Sequence, residues 1–136
     1  MNLMTHPAVL VGLGGACGSI GRYYIGRWLN LRAGHGIPWG TFVVNVLGSF
    51  LVVVFALILL QRVRPELRSA YLLLGTGFCG GFTTFSALEL ETFQLAQEGA
   101  WPLAVAYLVG SIVAGMVAVL VAVGLVRLLC GPSAPT

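Results

Sequence analysis

The segment GFCGGFTTFSALELE, residues 77–91, combines glycines, hydroxyl side chains and carboxylates inside an otherwise apolar stretch. Its three glycines each weaken a helix by about 1 kcal/mol relative to alanine. Thr83 or Thr84 then offers an N-cap for a new helix that begins near Phe85. A membrane helix that breaks leaves backbone groups that only protein, ions or water can satisfy. The segment therefore predicts either an ion site or a glycine-rich kink for close packing.

Two further segments carry polar side chains at helical spacing. Thr41, Asn45 and Ser49 lie at i, i+4 and i+8 in GTFVVNVLGSFLVVV and form one polar stripe. The amide of Asn45 needs hydrogen-bond partners, which either a neighbouring helix or an aqueous pathway supplies. Tyr107 and Ser111 lie one turn apart in a later apolar stretch.

The first apolar stretch contains GLGGACGSIGR. Gly14, Gly18 and Gly21 lie on one helix face, and such grooves of small residues let another backbone approach closely. Arg22 follows this stripe, and an arginine deep in a bilayer costs roughly 2.5–3.5 kcal/mol. We therefore expect Arg22 to face protein, water or the membrane interface.

The composition fits an integral membrane protein. Of the 136 residues, 58% are hydrophobic and 8% are charged, and the mean hydropathy is +0.97, whereas soluble domains carry about 25% charge. Lipid allows only helices or closed barrels, and the apolar runs lack the alternation of barrel strands. We predict an all-α fold, one domain over residues 1–136, with four transmembrane helices and a break in the third. The apolar blocks are Pro7 to Leu29, Pro38 to Leu60, Ala70 to Ala96 and Trp101 to Leu129.

The charged residues bear on orientation in the membrane. All seven basic residues are arginines, and the net charge of +3 concerns topology rather than nucleic acid. With four crossings, four arginines lie on one side and two or three on the other. This weak bias fits insertion in both orientations, and it also fits a modest bias that selects one. The first side has Arg62, Arg64, Arg68 and Arg127, and the second has Arg27, Arg32 and, if it reaches outward, Arg22.

Three of these motifs together resemble the Fluc (CrcB) family of bacterial fluoride channels. They are GGACGSIGR, GTFVVNVLGSF and GFCGGFTTFSALELE, and the resemblance covers the whole chain. It implies a dual-topology antiparallel homodimer in the lipid of the inner (plasma) membrane, with two separate fluoride pores. It also implies a structural sodium ion at the dimer centre, held by the backbone carbonyls of Gly80 and Thr83 of both subunits.

The resemblance assigns pore residues as well. Asn45 matches the family's asparagine, Phe85 its pore phenylalanine, and Tyr107 and Ser111 its polar positions in the fourth helix. Fluoride is strongly hydrated, so its pathway must replace water with other hydrogen-bond donors. The predicted donors are Asn45, Thr84, Ser86, Tyr107 and Ser111.

This chain departs from the family pattern at defined positions. The family motif continues TTFSTF, whereas this chain reads TTFSAL, so Leu88 replaces a second pore phenylalanine. Family members often have a serine where this chain has Gly115. Glu91 matches an acidic position of the family, and it is either near a pore mouth or a solvated charge at a helix end. Glu89 lies two residues away, on a different helix face.

The resemblance implies a passive channel that exports fluoride and so confers fluoride resistance. The alternative is a small dual-topology coupled exporter of the multidrug type, which needs a membrane-embedded carboxylate that the first helix lacks. A purely structural membrane protein would leave the polar stripes unexplained. An enzyme is disfavoured, because the sequence has no nucleophile with a base, no metal cluster and no phosphate loop.

Overall fold

The computed structural model describes residues 6–33, 36–60 and 67–131, which are almost entirely helical and contain no strand. The all-α class is therefore confirmed. Two π-helical segments, Ala56–Leu60 and Leu72–Cys79, continue α2 and join α3 to α4. The α-helices are α1 (Pro7–Ala33), α2 (Trp39–Phe55), α3 (Leu67–Tyr71), α4 (Gly80–Phe82), α5 (Phe85–Gln97) and α6 (Trp101–Cys130).

Three helical stretches in the described part of the chain are long and apolar enough to cross a membrane. They are Trp39–Leu59, Leu67–Gln97 and Trp101–Cys130, with mean hydropathies of 2.8, 1.2 and 2.6. At 27 residues α1 is also long enough, but its glycines and arginines make it less apolar than these three. It packs most extensively against the π-helical segment Leu72–Cys79, which places it beside the spanning helices.

Glycines on facing surfaces allow α1 to approach the Leu72–Cys79 segment and α4. A Cβ atom added to Gly14 would overlap the carbonyl oxygen of Leu73, and one added to Gly18 would overlap that of Phe78. In the reverse direction, a Cβ atom on Gly81 would overlap the backbone of α1. The glycine stripes therefore bring the two backbones together, as small residues do in membranes.

The helical backbone is interrupted after these glycines rather than at them. Gly80 keeps right-handed helical torsions, with φ −63° and ψ −36°. Thr83 and Thr84 are extended, with ψ angles of 160° and 124°. The Thr84 hydroxyl accepts a hydrogen bond from the Ala87 N–H at 3.2 Å and so caps α5, which begins at Phe85. Two threonines, with no positive-φ glycine among them, thus form the interruption.

A buried cluster joins α5 to α6. Leu88, Leu95, Ala104 and Tyr107 belong to it, and all four have side chains that are nearly inaccessible. The other faces of α6 carry exposed large apolar side chains, which suit contact with lipid. The packing of α2 and α5 against α6 holds the polar stripe of α2 close to the threonine interruption.

Candidate functional site

The side chain of Asn45 holds the interruption in place. Its Nδ2 atom donates to the carbonyl oxygen of Thr84 at 2.9 Å, and its Oδ1 atom accepts from the N–H of Thr84 at 2.8 Å. Because the backbone N–H of Thr84 can only donate and its C=O can only accept, these two bonds identify the oxygen and the nitrogen of the Asn45 side-chain amide. Asn45 therefore takes over the backbone pairing that Thr84 would have made in a continuous helix, and its second amide N–H has no partner among the residues that the structure describes.

The pair of hydrogen bonds between Asn45 and Thr84 leaves backbone carbonyls without helical partners. In a continuous helix the N–H of Thr84 would donate to the carbonyl of Gly80, but it donates to Asn45 instead. The N–H of Thr83 still donates to the Cys79 carbonyl at 3.0 Å. Within the described ranges, no hydrogen bond reaches the carbonyl of Thr83. Gly80 is exposed, and among the described residues no atom beyond its own stretch of backbone lies within 4 Å of where its Cβ would be. Two acceptors on one edge of the interruption are thus available to a further ligand.

A groove of about 480 Å³ runs along the interruption between α2 and α6. It contains most of the residues predicted from the sequence to form the site, and Tyr107 and Ser86 do not line it. Its lining residues are Asn45, Gly48, Ser49, Val52, Gly75, Cys79, Gly80, Thr83, Thr84, Phe85, Leu88, Ser111, Ile112, Gly115, Met116 and Val119.

Most hydroxyl groups at the groove already have partners. Ser111 is 4% exposed and donates to the Tyr107 carbonyl at 2.7 Å. The Thr83 hydroxyl donates to the Cys79 carbonyl at 3.0 Å. Ser86 is exposed, and its hydroxyl pairs with that of Thr84 at 3.2 Å. Ser111 and Thr83 can donate to an ion only by giving up the bond that they now make, whereas the Thr84–Ser86 pair uses one of its two hydroxyl protons for the bond between them.

Phe85 and Leu88 differ in their surroundings, although both line the groove. The ring of Phe85 is 62% exposed, whereas Leu88 is 3% exposed and belongs to the buried cluster between α5 and α6. Leu88 therefore combines a packing position with a place in the groove wall. Its role in a pathway stays a prediction.

Glu91 is the centre of a polar cluster that sequence reasoning did not find. Its Oε1 atom accepts from the Thr41 hydroxyl and its Oε2 atom from the Tyr107 hydroxyl, both at 2.7 Å. Glu91 is half-buried, while Thr41 and Tyr107 are buried. Of the two interpretations, a solvated charge at a helix end does not fit this arrangement. The sequence marked Thr41, Glu91 and Tyr107 separately as polar positions, but it gave no signal that they meet.

The arginines that the structure describes differ in their exposure. Arg22 is half-buried on α1, and Arg32 is exposed, with its guanidinium carbon 4.6 Å from the centre of the Trp28 ring. Arg62 and Arg64, which contribute to the predicted arginine bias between the two membrane sides, lie outside the described residues. Glu89 is exposed.

The fold and the groove define a helical membrane protein of several crossings, whose polar site is built from an amide, hydroxyls and free carbonyls. The chain belongs to the CrcB family: the family model described as CrcB-like protein, Camphor Resistance (CrcB), matches residues 9–124. This match confirms the family indicated by the three sequence motifs.

Similar proteins with established names agree with this membership. A protein of Gloeobacter violaceus is 46% identical over 117 residues, which cover 85% of this chain and 91% of that protein. A protein of Rhizobium meliloti is 43% identical over 126 residues, covering 91% and 98%. A protein of Chloroflexus aurantiacus is 41% identical over 117 residues, covering 86% and 92%. Each is named fluoride-specific ion channel FluC.

Proposed function

We propose that this chain is a fluoride-specific ion channel of the inner membrane. The observation that carries the proposal is the pair of hydrogen bonds between Asn45 and Thr84. These bonds hold uncharged polar groups along a groove at the backbone interruption. The names of relatives that cover most of the chain identify the anion, and they name channels, not enzymes. These names do not describe coupled exporters.

The groove suits a small anion for a chemical reason. Removing water from fluoride costs tens of kcal/mol in a medium without donors. The free amide N–H of Asn45 and the groove hydroxyls supply donors, and the exposed ring of Phe85 can offer its electropositive edge. A narrow path with few fixed donors favours fluoride over the larger chloride.

A second copy of the chain completes the pathway in this proposal. The groove, the ring of Phe85 and the edge of Gly80 are open in one chain, and a partner in the opposite orientation would cover them. An antiparallel homodimer has a two-fold axis in the membrane plane, so it contains each groove twice. The weak arginine bias of the sequence supports insertion in both orientations.

The free carbonyls of Gly80 and Thr83 fit a structural sodium ion at this axis. Hard cations take neutral carbonyl oxygens as ligands, and two chains together would contribute both pairs. When bound, sodium supplies a fixed positive charge that joins the two copies. We expect the melting temperature in detergent to fall when an organic cation replaces sodium. A melting temperature that is the same in both buffers would contradict this site.

The direction of flux follows from the membrane potential. An inside-negative potential drives an anion outward with about 2.3 kcal/mol per 100 mV. Fluoride that crosses the membrane as neutral HF and ionises inside would leave through the channel, driven by this potential and without coupling to another ion or to ATP. The proposed physiological result is fluoride resistance.

Efflux from liposomes tests the proposal. Vesicles with the purified protein are loaded with fluoride or chloride, a potassium ionophore balances the charge, and an ion-selective electrode follows release. We expect rapid fluoride release, little chloride release, and no dependence on a proton gradient. Proton-coupled uptake of a cationic drug without fluoride release would instead favour the multidrug-type exporter.

A further inference from the structure

One hydroxyl of the groove has no hydrogen-bond partner in the described part of the chain. It belongs to Ser49 on α2, one turn after Asn45. Serine and threonine in helices often donate to the carbonyl four residues earlier, as Thr92 does to Leu88 at 2.7 Å. Ser49 makes no such bond. Because no buried side-chain oxygen among the described residues lacks a partner, the Ser49 hydroxyl must be accessible from the groove.

The hydroxyl of Ser49 lies at the groove wall opposite Gly115 on α6, which also lines the groove. A Cβ atom added to Gly115 would lie 3.4 Å from the Ser49 oxygen, so a side chain at position 115 would contact this hydroxyl. The other groove hydroxyls, on Thr83, Thr84 and Ser111, all make bonds within the chain.

Ser49 and Asn45 form a pair of donors. Residues four apart are neighbours on a helix surface, with Cβ atoms about 5–6 Å apart. Asn45 keeps one amide N–H free after its bond to Thr84, and Ser49 has its O–H free. Two uncommitted donors on one face of α2 thus point toward the same groove.

We propose that Ser49 donates a hydrogen bond to the anion in the groove and helps to select a small, strongly hydrogen-bonding anion. This inference rests on the proposed function and adds a lining residue to it. The ligand class is a monovalent halide of high charge density, for which fluoride is the probe. The anion would lie in the groove between α2 and α6, which Asn45 and Ser49 both line.

Three variants test the inference in liposomes containing the full chain. Ser49→Ala removes the hydroxyl, and we expect fluoride efflux to fall about tenfold, since a hydrogen bond to an ion contributes more than a neutral one. Ser69→Ala, at an exposed position outside the groove, is the matched control and should retain normal efflux. Adding Gly115→Ser to Ser49→Ala returns a hydroxyl from the opposite wall and should restore most of the flux.

The outcomes separate the possible failures. Unchanged efflux in Ser49→Ala overturns the inference while leaving the channel function intact. A loss that Gly115→Ser does not rescue assigns Ser49 to packing and also overturns it. If the unmodified protein releases no fluoride, the proposed function fails and the inference with it. If Ser49→Ala does not assemble, two further variants test the inference. Ser49→Thr keeps a hydroxyl and must conduct fluoride, whereas Ser49→Val, which has the shape of threonine without the hydroxyl, must not.

Discussion

At the scale of single residues, Asn45 has one identifiable task, which is to replace helical hydrogen bonds. It pairs with both backbone groups of Thr84. The sequence left open whether this asparagine joins helices or lines a pathway. The structure shows that its side chain joins α2 to the interruption and also lines the groove, and its role in an ion pathway stays a prediction.

We expect Asn45→Asp to lower fluoride efflux by about tenfold or more, since a hydrogen bond that involves an ion or an unpaired buried group has a large effect. An aspartate keeps the acceptor for the Thr84 N–H, but it cannot donate to the Thr84 carbonyl and it repels an anion. Liposome efflux is the measurement, with size-exclusion chromatography to verify assembly.

Asn30 offers a matched control for this substitution. Its Oδ1 atom accepts from the N–H of Gly40 at 2.7 Å, close to the start of α2. Because this role needs only an acceptor, Asn30→Asp should retain normal fluoride efflux. Equal efflux from Asn45→Asp and the unmodified protein would remove Asn45 from the pathway and leave it a purely structural role.

Leu88 gives a second prediction at this scale. Leu88→Phe introduces an aromatic edge into the groove wall, and we expect fluoride efflux to rise by several-fold, consistent with an edge interaction of about 1 kcal/mol. The larger side chain must also fit a position that is 3% exposed, so the melting temperature should fall modestly. If efflux stays the same while stability falls, position 88 serves packing alone.

At the scale of helices, the glycines and threonines of the third stretch have different tasks. The sequence indicated correctly where a helix could begin, because the preference of threonine for N-caps is a local property. It did not decide between a glycine-induced break and close packing. The close packing requires Gly14 and Gly18 of α1, which lie some sixty residues away. The sequence of one helix does not show which other helix packs against it.

The cluster around Glu91 was unpredictable for the same reason. Its donors Thr41 and Tyr107 lie 50 and 16 residues away in sequence, on two other helices. Local patterns can show that each side chain is polar, but they do not show which of them meet. By contrast, the motif resemblance assigned Asn45 and Phe85 to one site, and both line the groove, because a family motif carries three-dimensional information that periodicity lacks. Their role in a pore stays a prediction.

Helix packing at Gly18 yields a stability prediction. Gly18→Ala would press its methyl group into the carbonyl of Phe78, so we expect a loss of about 1–3 kcal/mol, typical of overpacking. Gly12→Ala on the same helix is the control, since no atom lies within 4 Å of its added Cβ. Thermal unfolding in detergent compares them. Equal melting temperatures would contradict the close approach of α1.

At the scale of the whole molecule, a single copy of the chain does not enclose the groove. The groove is open along one side, and Phe85 and Gly80, which line it, are exposed. Free backbone acceptors are tolerated in a membrane only where protein, water or an ion covers them. The proposed antiparallel partner resolves this, because it covers the open side and places a second set of acceptors beside the first.

The orientation of individual copies tests that arrangement. Cys130 is exposed near the end of α6, so a variant with Cys17→Ser and Cys79→Ala carries a single accessible thiol. In membranes where both orientations occur, an impermeant maleimide should label one fraction of the copies before permeabilisation and a fraction of similar size only afterwards. The control is a single-orientation membrane protein with one cysteine, which should label from one side. Labelling of all copies from one side would exclude the antiparallel dimer. Fluoride could still pass through a parallel assembly, so fluoride efflux from the same preparation must also be measured.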